Sequence, residues 1–262
     1  MGVITKITLK EVQTLFPNFK ITSIQETTNG VMDTTYILDK YILKKYERKI
    51  RKKIIADTKL LKTLQKAELN VPSLVAQNEE WYLYEKLPGN IPKTIKLFHI
   101  QELARFLAKM HTVTQNIHST FTLLENYNLA DILKLNKTKF YFYYKQLQSL
   151  KSYTMKTDGF IHGDIFKDNT LFQEKKLAVF DFIDGGNGSF TFDAAVVLLS
   201  FNHSKHELYT SLFLSTYNQH APKKIQLKSL KIEISNAAKL YGLLRLQRDK
   251  NPNKVKLLAK FW

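Results

Sequence analysis

One segment of the chain, residues 160–172, concentrates side chains that could do chemistry. It reads FIHGDIFKDNTLF and places the carboxylate of Asp164 five residues before the amide of Asn169. An apolar run follows and ends in a second carboxylate, Asp181. Carboxylate and amide oxygens are hard ligands that suit a divalent cation, and a carboxylate near a hydroxyl can take its proton. The pattern therefore indicates metal-assisted chemistry at a hydroxyl group.

The spacing of these three residues is typical of phosphoryl transfer in the protein-kinase fold. ATP brings several negative charges, which require a divalent metal held by hard oxygen ligands. Asn169 and Asp181 are therefore predicted to bind Mg²⁺. Asp164 is predicted to orient the acceptor hydroxyl and to take its proton as catalytic base. Each residue alone would be a cap or a solvated side chain, but their ordered combination is much less expected by chance.

Neighbouring residues are predicted to shape this loop. His162 has no second histidine at zinc-ligand spacing and is interpreted as a loop-shaping residue. The glycine-rich stretch 185–188 indicates a flexible turn before the next helix. Asp193 is predicted to be the N-cap of a helix that begins at Ala194. An alternative is that Asp193 braces the catalytic loop.

The elements that must position these side chains differ between two parts of the chain. Residues 1–88 show short alternating runs and one stretch at helical spacing, from about Arg48 to Gln65, whereas residues 89–262 are mainly helical. The order predicts an α+β, protein-kinase-like bilobal fold with a small β-rich N-lobe and a larger helical C-lobe. The predicted strands are Phe19–Ile24, Thr35–Leu38, Tyr41–Lys44 and Trp81–Tyr84, and the further helices are Phe98–Met110, a zone from about 121 to 150, a helix from Asp193 to Phe201, a helix from about 207 to 217 and a pair within 227–261.

The composition excludes several classes of protein. The chain has no cysteine, so disulfide frameworks and thiolate sites are excluded, in keeping with a cytoplasmic location. It shows no long apolar segment and no signal-peptide pattern, so no membrane partner is expected. The net charge is +17, but the basic residues are spread along the chain and no nucleic-acid-binding motif is present. We therefore expect no nucleic-acid partner, and the positive field suits a small anionic ligand such as a nucleotide.

The loop resembles that of the aminoglycoside phosphotransferase and choline kinase superfamily, whose pattern is His-Gly-Asp-Leu-His-x-x-Asn. Its Asp-Ile-Phe-Lys-Asp-Asn-Thr-Leu-Phe is most similar to the homoserine kinase branch, which has Asp-Leu-Phe-Arg-Asp-Asn-Val-Leu-Phe. Thr28–Tyr36, Leu87–Gly89, Leu103–His111 and Ala237–Leu246 also resemble that branch, so the resemblance covers nearly the whole chain. It implies ATP and magnesium as cofactors and a small-molecule alcohol as substrate. The best single acceptor is L-homoserine, whose product O-phospho-L-homoserine is a precursor of threonine.

The resemblance also implies a nucleotide site in the N-lobe. The turn that contains Asn29 and Gly30 would cover the phosphates with its backbone N–H groups. Backbone groups around Glu85 and Lys86 would hydrogen-bond the edge of the adenine.

Lys44 takes the place of the phosphate-binding lysine in this resemblance. Strand alternation puts Ile42 on the same face as Lys44, where it would lie against the adenine. Asp57 is the best-placed acid to pair with Lys44. The alternative is that Lys44 belongs to the basic surface cluster at 44–53.

The acceptor site is less defined. Homoserine is a zwitterion, so its carboxylate needs a cation, and Arg245 on the late helix is the candidate. The alternative for Arg245 is a surface salt bridge. An aminoglycoside, choline or sugar kinase of the same fold remains an alternative function, and a nucleotide- or nucleic-acid-binding protein without turnover is an alternative of another class.

Overall fold

The computed structural model describes residues 3–27, 32–127, 129–134, 140–201, 206–248 and 252–262. The chain divides into two units, residues 1–89 and residues 90–262. The predicted boundary, after residue 88, precedes this division by one residue. The first unit is built around an antiparallel sheet and the second is mainly helical. The predicted α+β class, with a small β-rich part followed by a larger helical part, is therefore confirmed.

An antiparallel sheet forms the core of the first unit. Side chains that alternate along its strands point to one face, where Tyr36, Leu38, Leu43 and Leu83 are buried together with Val12. The described strands are β1 (Ile24–Glu26), β2 (Thr34–Leu38), β3 (Tyr41–Lys45), β4 (Leu74–Asn78) and β5 (Trp81–Glu85), in the spatial order β1-β2-β3-β5-β4.

Two helices accompany this sheet. The helix α1 (Leu9–Leu15), which was not predicted, starts at a capping box in which Thr8 and Glu11 exchange side-chain-to-backbone hydrogen bonds. The Thr-x-x-Glu spacing is a sequence signal for such a start. The helix α2 (Arg51–Lys66) confirms the predicted helix and begins three residues later than expected. Strand β4 was also not predicted.

The strand predicted at Phe19–Ile24 is wrong over most of its length. Pairing with β2 begins only at Ile24, which lies opposite Leu38. The N–H groups of Thr22 and Ser23 instead donate to the Asp39 carboxylate, at 2.6 and 3.1 Å. These backbone hydrogen bonds, with those of the two hydroxyls, hold the pKa of Asp39 well below its usual range. Asp39, in the turn between β2 and β3, therefore binds the backbone N–H groups of the segment that the alternating residue pattern had indicated as a strand.

The second unit packs long helices against one another: α3 (Leu97–Thr114) contacts α7 (His206–His220), and α6 (Phe190–Phe201) contacts α8 (Leu227–Arg248). The zone predicted as helical from about 121 to 150 is broken in its described part into short helices and 3-10 turns. No helix in the described ranges is long and apolar enough to cross a membrane. The α-helices are α3 (Leu97–Thr114), α4 (Leu129–Lys134), α5 (Tyr141–Gln146), α6 (Phe190–Phe201), α7 (His206–His220), α8 (Leu227–Arg248) and α9 (Pro252–Leu258).

Two small antiparallel pairs of strands interrupt these helices. Strand β6 (Gly159–Ile161) pairs with β9 (Gly186–Gly188), so the glycine-rich stretch predicted as a turn is partly a strand. Strand β7 (Thr170–Gln173) pairs with β8 (Lys176–Val179) as a hairpin. The chemically interesting segment lies between β6 and β7.

The change Asp39→Ala is expected to lower the melting temperature at pH 7, because two backbone N–H groups and two hydroxyls lose their acceptor. The folded pKa of Asp39 lies below the unfolded value of about 3.9, so its contribution is complete above that value. The contribution is lost as the pH falls through the folded pKa. Thermal unfolding followed by circular dichroism should therefore show the difference between wild type and variant shrinking below about pH 4. A difference that stays constant down to pH 2 would contradict this account.

Candidate active site

The side chains singled out in the sequence lie on the loop between β6 and β7 and just after β8. Because β7 and β8 are antiparallel, with Thr170 opposite Val179, the residues before β7 lie beside those after β8. The Phe180 N–H accordingly donates to the Asn169 carbonyl at 3.1 Å. The hairpin therefore brings Asn169 next to the segment that carries Asp181.

Asp164 and Asn169 contact each other directly. The Asn169 Nδ2 donates to the Asp164 carboxylate Oδ2 at 3.0 Å and to the Asp164 carbonyl at 2.8 Å. A side-chain amide has two N–H donors, and both serve to orient Asp164. The Oδ1 of Asn169 therefore remains as an oxygen ligand for another group. Both side chains are only partly buried, which leaves the Asp164 carboxylate accessible.

His162 connects the two halves of the site. Its Nδ1 accepts the Asp164 N–H at 3.1 Å, so Nε2 carries the proton and donates it to the Phe180 carbonyl at 3.0 Å. The ring is buried, and burial lowers the pKa of His162, which keeps it neutral. The Asp181 carboxylate lies close enough to act on this pKa in the opposite direction. The predicted loop-shaping role of His162 is confirmed.

The backbone at Asp181 has an unusual conformation. Its φ is +70°, in the left-handed region that residues other than glycine adopt infrequently. The next two side chains, Phe182 and Ile183, are buried, and the Phe182 ring lies 4.4 Å from that of His162. Asp181 itself is partly exposed. A partly exposed carboxylate in a sparsely populated backbone conformation thus directly precedes two buried side chains, and such conformations are common at functional sites.

A buried carboxylate on α6 holds the start of the loop. Asp193 accepts the His162 N–H at 3.0 Å and the Gly163 N–H at 2.8 Å, one with each oxygen. The prediction that Asp193 caps a helix starting at Ala194 is wrong, because α6 begins at Phe190 and Asp193 lies inside its first turn. The alternative prediction, that Asp193 braces the loop, is confirmed.

A histidine on α3 completes the surroundings of Asp193. His111 Nε2 donates to Asp193 Oδ2 at 3.1 Å, and its Nδ1 accepts the Tyr217 hydroxyl of α7 at 2.7 Å. The imidazole stacks on Phe190 with ring centroids 4.0 Å apart. Burial lowers the pKa of His111, so the ring is neutral. No role was predicted for His111, although its place directly after the apolar stripe that ends at Met110 could have indicated a buried polar contact.

The other side of the loop is held by α8. The Tyr241 hydroxyl donates to the Gly163 carbonyl, and the Tyr241 ring packs edge-on against Phe166, with centroids 4.7 Å apart. Gly163 has a φ of +72°, and a Cβ at this position would lie 2.4 Å from Leu123 Cδ1. The position therefore requires glycine.

Arg245 lies on the same helix. It follows Tyr241 by four residues, so the two side chains share one face of α8. Arg245 is partly buried and makes no ion pair with any residue that the structure describes. The alternative prediction of a surface salt bridge is thus not met within those ranges. The helix places Arg245 one turn from Tyr241, which contacts Gly163 of the loop.

In the first unit, Ile42 and Lys44 lie on the same face of β3. Ile42 is opposite Tyr84 of β5 and Lys44 is opposite Tyr82, as strand alternation predicts. The Lys44 Nζ lies 5.1 Å from the centroid of the Tyr46 ring, within range of a cation–π interaction. Lys44 is partly buried, as is Lys45 beside it, and the role of Lys44 in nucleotide binding stays a prediction.

Asp57 of α2 is buried and lies near Tyr84, the residue of β5 that is opposite Ile42. Burial raises the pKa of Tyr84, whose hydroxyl lies 3.0 Å from that of Tyr46. The charge of Asp57 raises this pKa further and the charge of Lys44 lowers it. Both charged groups therefore lie within electrostatic range of one phenol. Their direct pairing stays a prediction.

The predicted adenine-binding segment follows β5. The Glu85 N–H donates to the Ser73 carbonyl and the Lys86 N–H donates to the Lys40 carbonyl, both at 2.9 Å. These two N–H groups are therefore committed to the sheet, and a ligand would have to use carbonyl oxygens here. The other two predicted nucleotide contacts, Asn29 and Gly30, lie outside the described residues.

Solved structures of known kinases have the same fold. An amicoumacin kinase, hAmiN, solved with AMP-PNP, Ca²⁺ and amicoumacin, is 19% identical with a TM-score of 0.73 and covers 97% of this chain and 90% of its own. An aminoglycoside 2'-phosphotransferase bound to GDP is 16% identical with a TM-score of 0.69 and covers 96% of this chain and 95% of its own. The macrolide 2'-phosphotransferase MphH from Brachybacterium faecium is 14% identical with a TM-score of 0.67 and covers 97% of both chains.

Sequence comparisons identify the family of the chain but match it to no individual curated protein. A search of curated proteins found no match to this chain. The model of the phosphotransferase enzyme family, APH, matches residues 23–220, which is well over half of the chain. That stretch includes the loop, the hairpin and Asp193. The chain therefore belongs to the phosphotransferase enzyme family.

Proposed function

We propose that the protein is an ATP- and Mg²⁺-dependent kinase that transfers the γ-phosphoryl group to a hydroxyl of a small molecule, with Asp164 as catalytic base. The observation that carries the proposal is the contact between Asn169 Nδ2 and the Asp164 carboxylate, at 3.0 Å. It supports a base whose orientation is imposed before the acceptor arrives. Such preorganisation is the main source of catalysis when phosphoryl transfer needs little covalent help from the protein.

The residues present fit a magnesium ion. Asn169 Oδ1 and the Asp181 carboxylate are hard oxygen donors, carried by adjacent segments that the Phe180–Asn169 backbone hydrogen bond joins. No cluster of three or more histidine, aspartate or glutamate side chains suited to a metal occurs in the described ranges. A pair of protein ligands is what Mg²⁺ commonly uses when phosphates supply the rest. When bound, the ion would neutralise charge on the phosphates.

Asp164 would act on the acceptor as the bond to phosphorus forms. Its carboxylate accepts the hydroxyl proton, and the Asn169 amide stabilises the carboxylate's orientation through a hydrogen bond. The loop backbone cannot easily move away, because the N–H groups of His162 and Gly163 are bound by Asp193. The acceptor hydroxyl would thereby contact a base, Asp164, whose backbone and carboxylate are already held in place.

The nucleotide contacts are proposed for the first unit. Lys44 supplies a positive charge for the phosphates, and Ile42 on the same face supplies an apolar contact for the adenine. The carbonyl oxygens near Glu85 and Lys86 are the backbone groups left for the adenine amine, since their N–H groups are engaged. The turn at Asn29 and Gly30 and the pairing of Lys44 with Asp57 remain part of this proposal. Structural relatives that hold AMP-PNP, ADP or GDP support a purine nucleotide as donor.

For the acceptor, we propose L-homoserine, converted to O-phospho-L-homoserine. Arg245 supports this choice, because it has no ion pair among the described residues and lies one turn from Tyr241, which contacts Gly163. A guanidinium is suited to bidentate binding of a carboxylate. A polycationic aminoglycoside would favour acidic surroundings instead. The structural relatives that bind aminoglycosides and macrolides make those compounds the competing acceptors.

The experiment that tests the acceptor is a panel assay of ADP release with MgATP. L-homoserine, other amino alcohols, choline, sugars, aminoglycosides and a macrolide should be compared at equal concentration. Arg245→Gln is expected to raise the KM for homoserine roughly 10- to 100-fold while the KM for MgATP is unchanged. Turnover only with an aminoglycoside or macrolide would contradict homoserine and leave the kinase proposal standing. If the protein binds ATP but releases no ADP with any acceptor of the panel, a non-catalytic binding protein would be favoured.

The change Asp164→Asn should lower kcat by roughly 10²–10⁴-fold, because the amide cannot take the hydroxyl proton. MgATP affinity should remain within about twofold, since Asp164 is not proposed to bind nucleotide. Steady-state kinetics and calorimetry measure the two quantities. Full activity in this variant would show that Asp164 is not the base.

The change Asp181→Asn should remove most of the Mg²⁺ dependence of ATP binding, because one of the two proposed oxygen ligands loses its charge. Titration of ATP with and without Mg²⁺, by calorimetry, measures the dependence. Asp184→Asn is a matched control, because it changes a nearby partly exposed carboxylate that is not proposed as a ligand. An unchanged Mg²⁺ dependence in Asp181→Asn would contradict the metal role.

A further inference from the structure

The peptide group between Gly163 and Asp164 is held at both of its polar atoms. Its carbonyl accepts the hydroxyl of Tyr241, and its N–H donates to His162 Nδ1 at 3.1 Å. The preceding N–H, that of Gly163, is bound by Asp193. The backbone that leads into the proposed base is thus fixed from α6 on one side and from α8 on the other.

The contact from Tyr241 is made to the carbonyl of a glycine. Gly163 has a φ of +72°, and glycine has no side chain to restrict rotation of the adjoining peptide. A buried carbonyl that loses its donor is costly and favours any rotation that finds another partner. Such a rotation would also break the bond from the Asp164 N–H to His162. The orientation of Asp164 therefore depends on a hydroxyl donor on α8.

The Tyr241 hydroxyl is suited to that task. Its side chain is buried, and burial raises the pKa of Tyr241, so the hydroxyl keeps its proton and remains a donor. It also hydrogen-bonds Tyr127, and its ring packs against Phe166 of the loop. These contacts hold the Tyr241 ring against the loop. Arg245 lies one turn further along the same helix face.

We propose that Tyr241 is a positioning residue, whose hydroxyl fixes the Gly163–Asp164 peptide so that the Asp164 carboxylate faces the acceptor hydroxyl. This inference rests on the proposed kinase function. It adds a residue that acts through the backbone of the base and makes no contact with the reacting atoms. Because Tyr241 and Arg245 share a face of α8, the helix that would bind the acceptor is also the one that orients the base.

The test compares Tyr241→Phe with Tyr144→Phe. Each change removes one hydroxyl from a buried tyrosine of the second unit and keeps the ring. Tyr144 is a matched control, because its hydroxyl accepts a hydrogen bond from Gln247 of the same helix, at 2.6 Å, and does not contact the loop. Thermal unfolding verifies that both variants are folded at the assay temperature.

Three quantities are measured on wild type and both variants. They are kcat and KM for MgATP by ADP release, with the best acceptor of the panel or with water, and hydrogen exchange of the peptide spanning 160–172. Tyr241→Phe should lower kcat about tenfold or more, leave KM for MgATP within about twofold, and accelerate exchange of the loop amides. Tyr144→Phe should change none of these by more than about twofold.

The outcomes separate this inference from the kinase proposal. A kcat for Tyr241→Phe that matches that of Tyr144→Phe overturns the positioning role, whatever the exchange data show. If the wild type binds MgATP but never releases ADP, the kinase proposal fails and hydrogen exchange alone decides. Faster loop exchange confined to Tyr241→Phe then supports the hold on the loop, and equal exchange in all three proteins overturns it.

Discussion

The carboxylate of Asp193 is the constraint on which the rest of the site depends. It is fully buried, which would be costly for an ionised group without hydrogen-bond donors. The N–H groups of His162 and Gly163 and the imidazole of His111 are those donors. The loop and α6 thus stabilise each other, because the buried carboxylate needs the N–H donors of the loop and those N–H groups need an acceptor. The loop that carries Asp164 is therefore anchored to the core of the second unit.

Two neutral imidazoles link the surroundings of Asp193 to other parts of the second unit. His111 accepts a hydrogen bond from Tyr217 on α7, and His162 accepts one from the Asp164 N–H and donates one to the Phe180 carbonyl. Each ring donates with one nitrogen and accepts with the other, and burial lowers the pKa of both. The partly buried carboxylates of Asp164 and Asp181 are then the acidic groups that the proposed mechanism assigns to an acceptor hydroxyl and to a metal ion.

The proximity of the candidate residues was predictable from sequence, because it depends on local geometry. Asp164, Asn169 and Asp181 are separated by one loop and one hairpin, so their spacing in sequence predicts their proximity. Tyr241 could not be found in this way, because nothing in helical periodicity distinguishes a tyrosine whose hydroxyl is used from one that only packs. Asp193 was ambiguous for a related reason, since its position suits a cap locally and only the distant loop amides decide its role. The strand predicted at Phe19–Ile24 was wrong because the alternation of apolar and polar residues does not reveal that the Asp39 carboxylate competes for the backbone N–H groups.

The family, the fold and the geometry of the loop together support phosphoryl transfer at Asp164 with a metal held by Asn169 and Asp181. The most direct measurement is a crystal structure of the protein with Mg²⁺ and AMP-PNP. The account predicts a metal about 2.1 Å from both Asn169 Oδ1 and an Asp181 carboxylate oxygen, with phosphate oxygens completing its coordination. A nucleotide bound with its metal on other residues, or bound away from this loop, would contradict it.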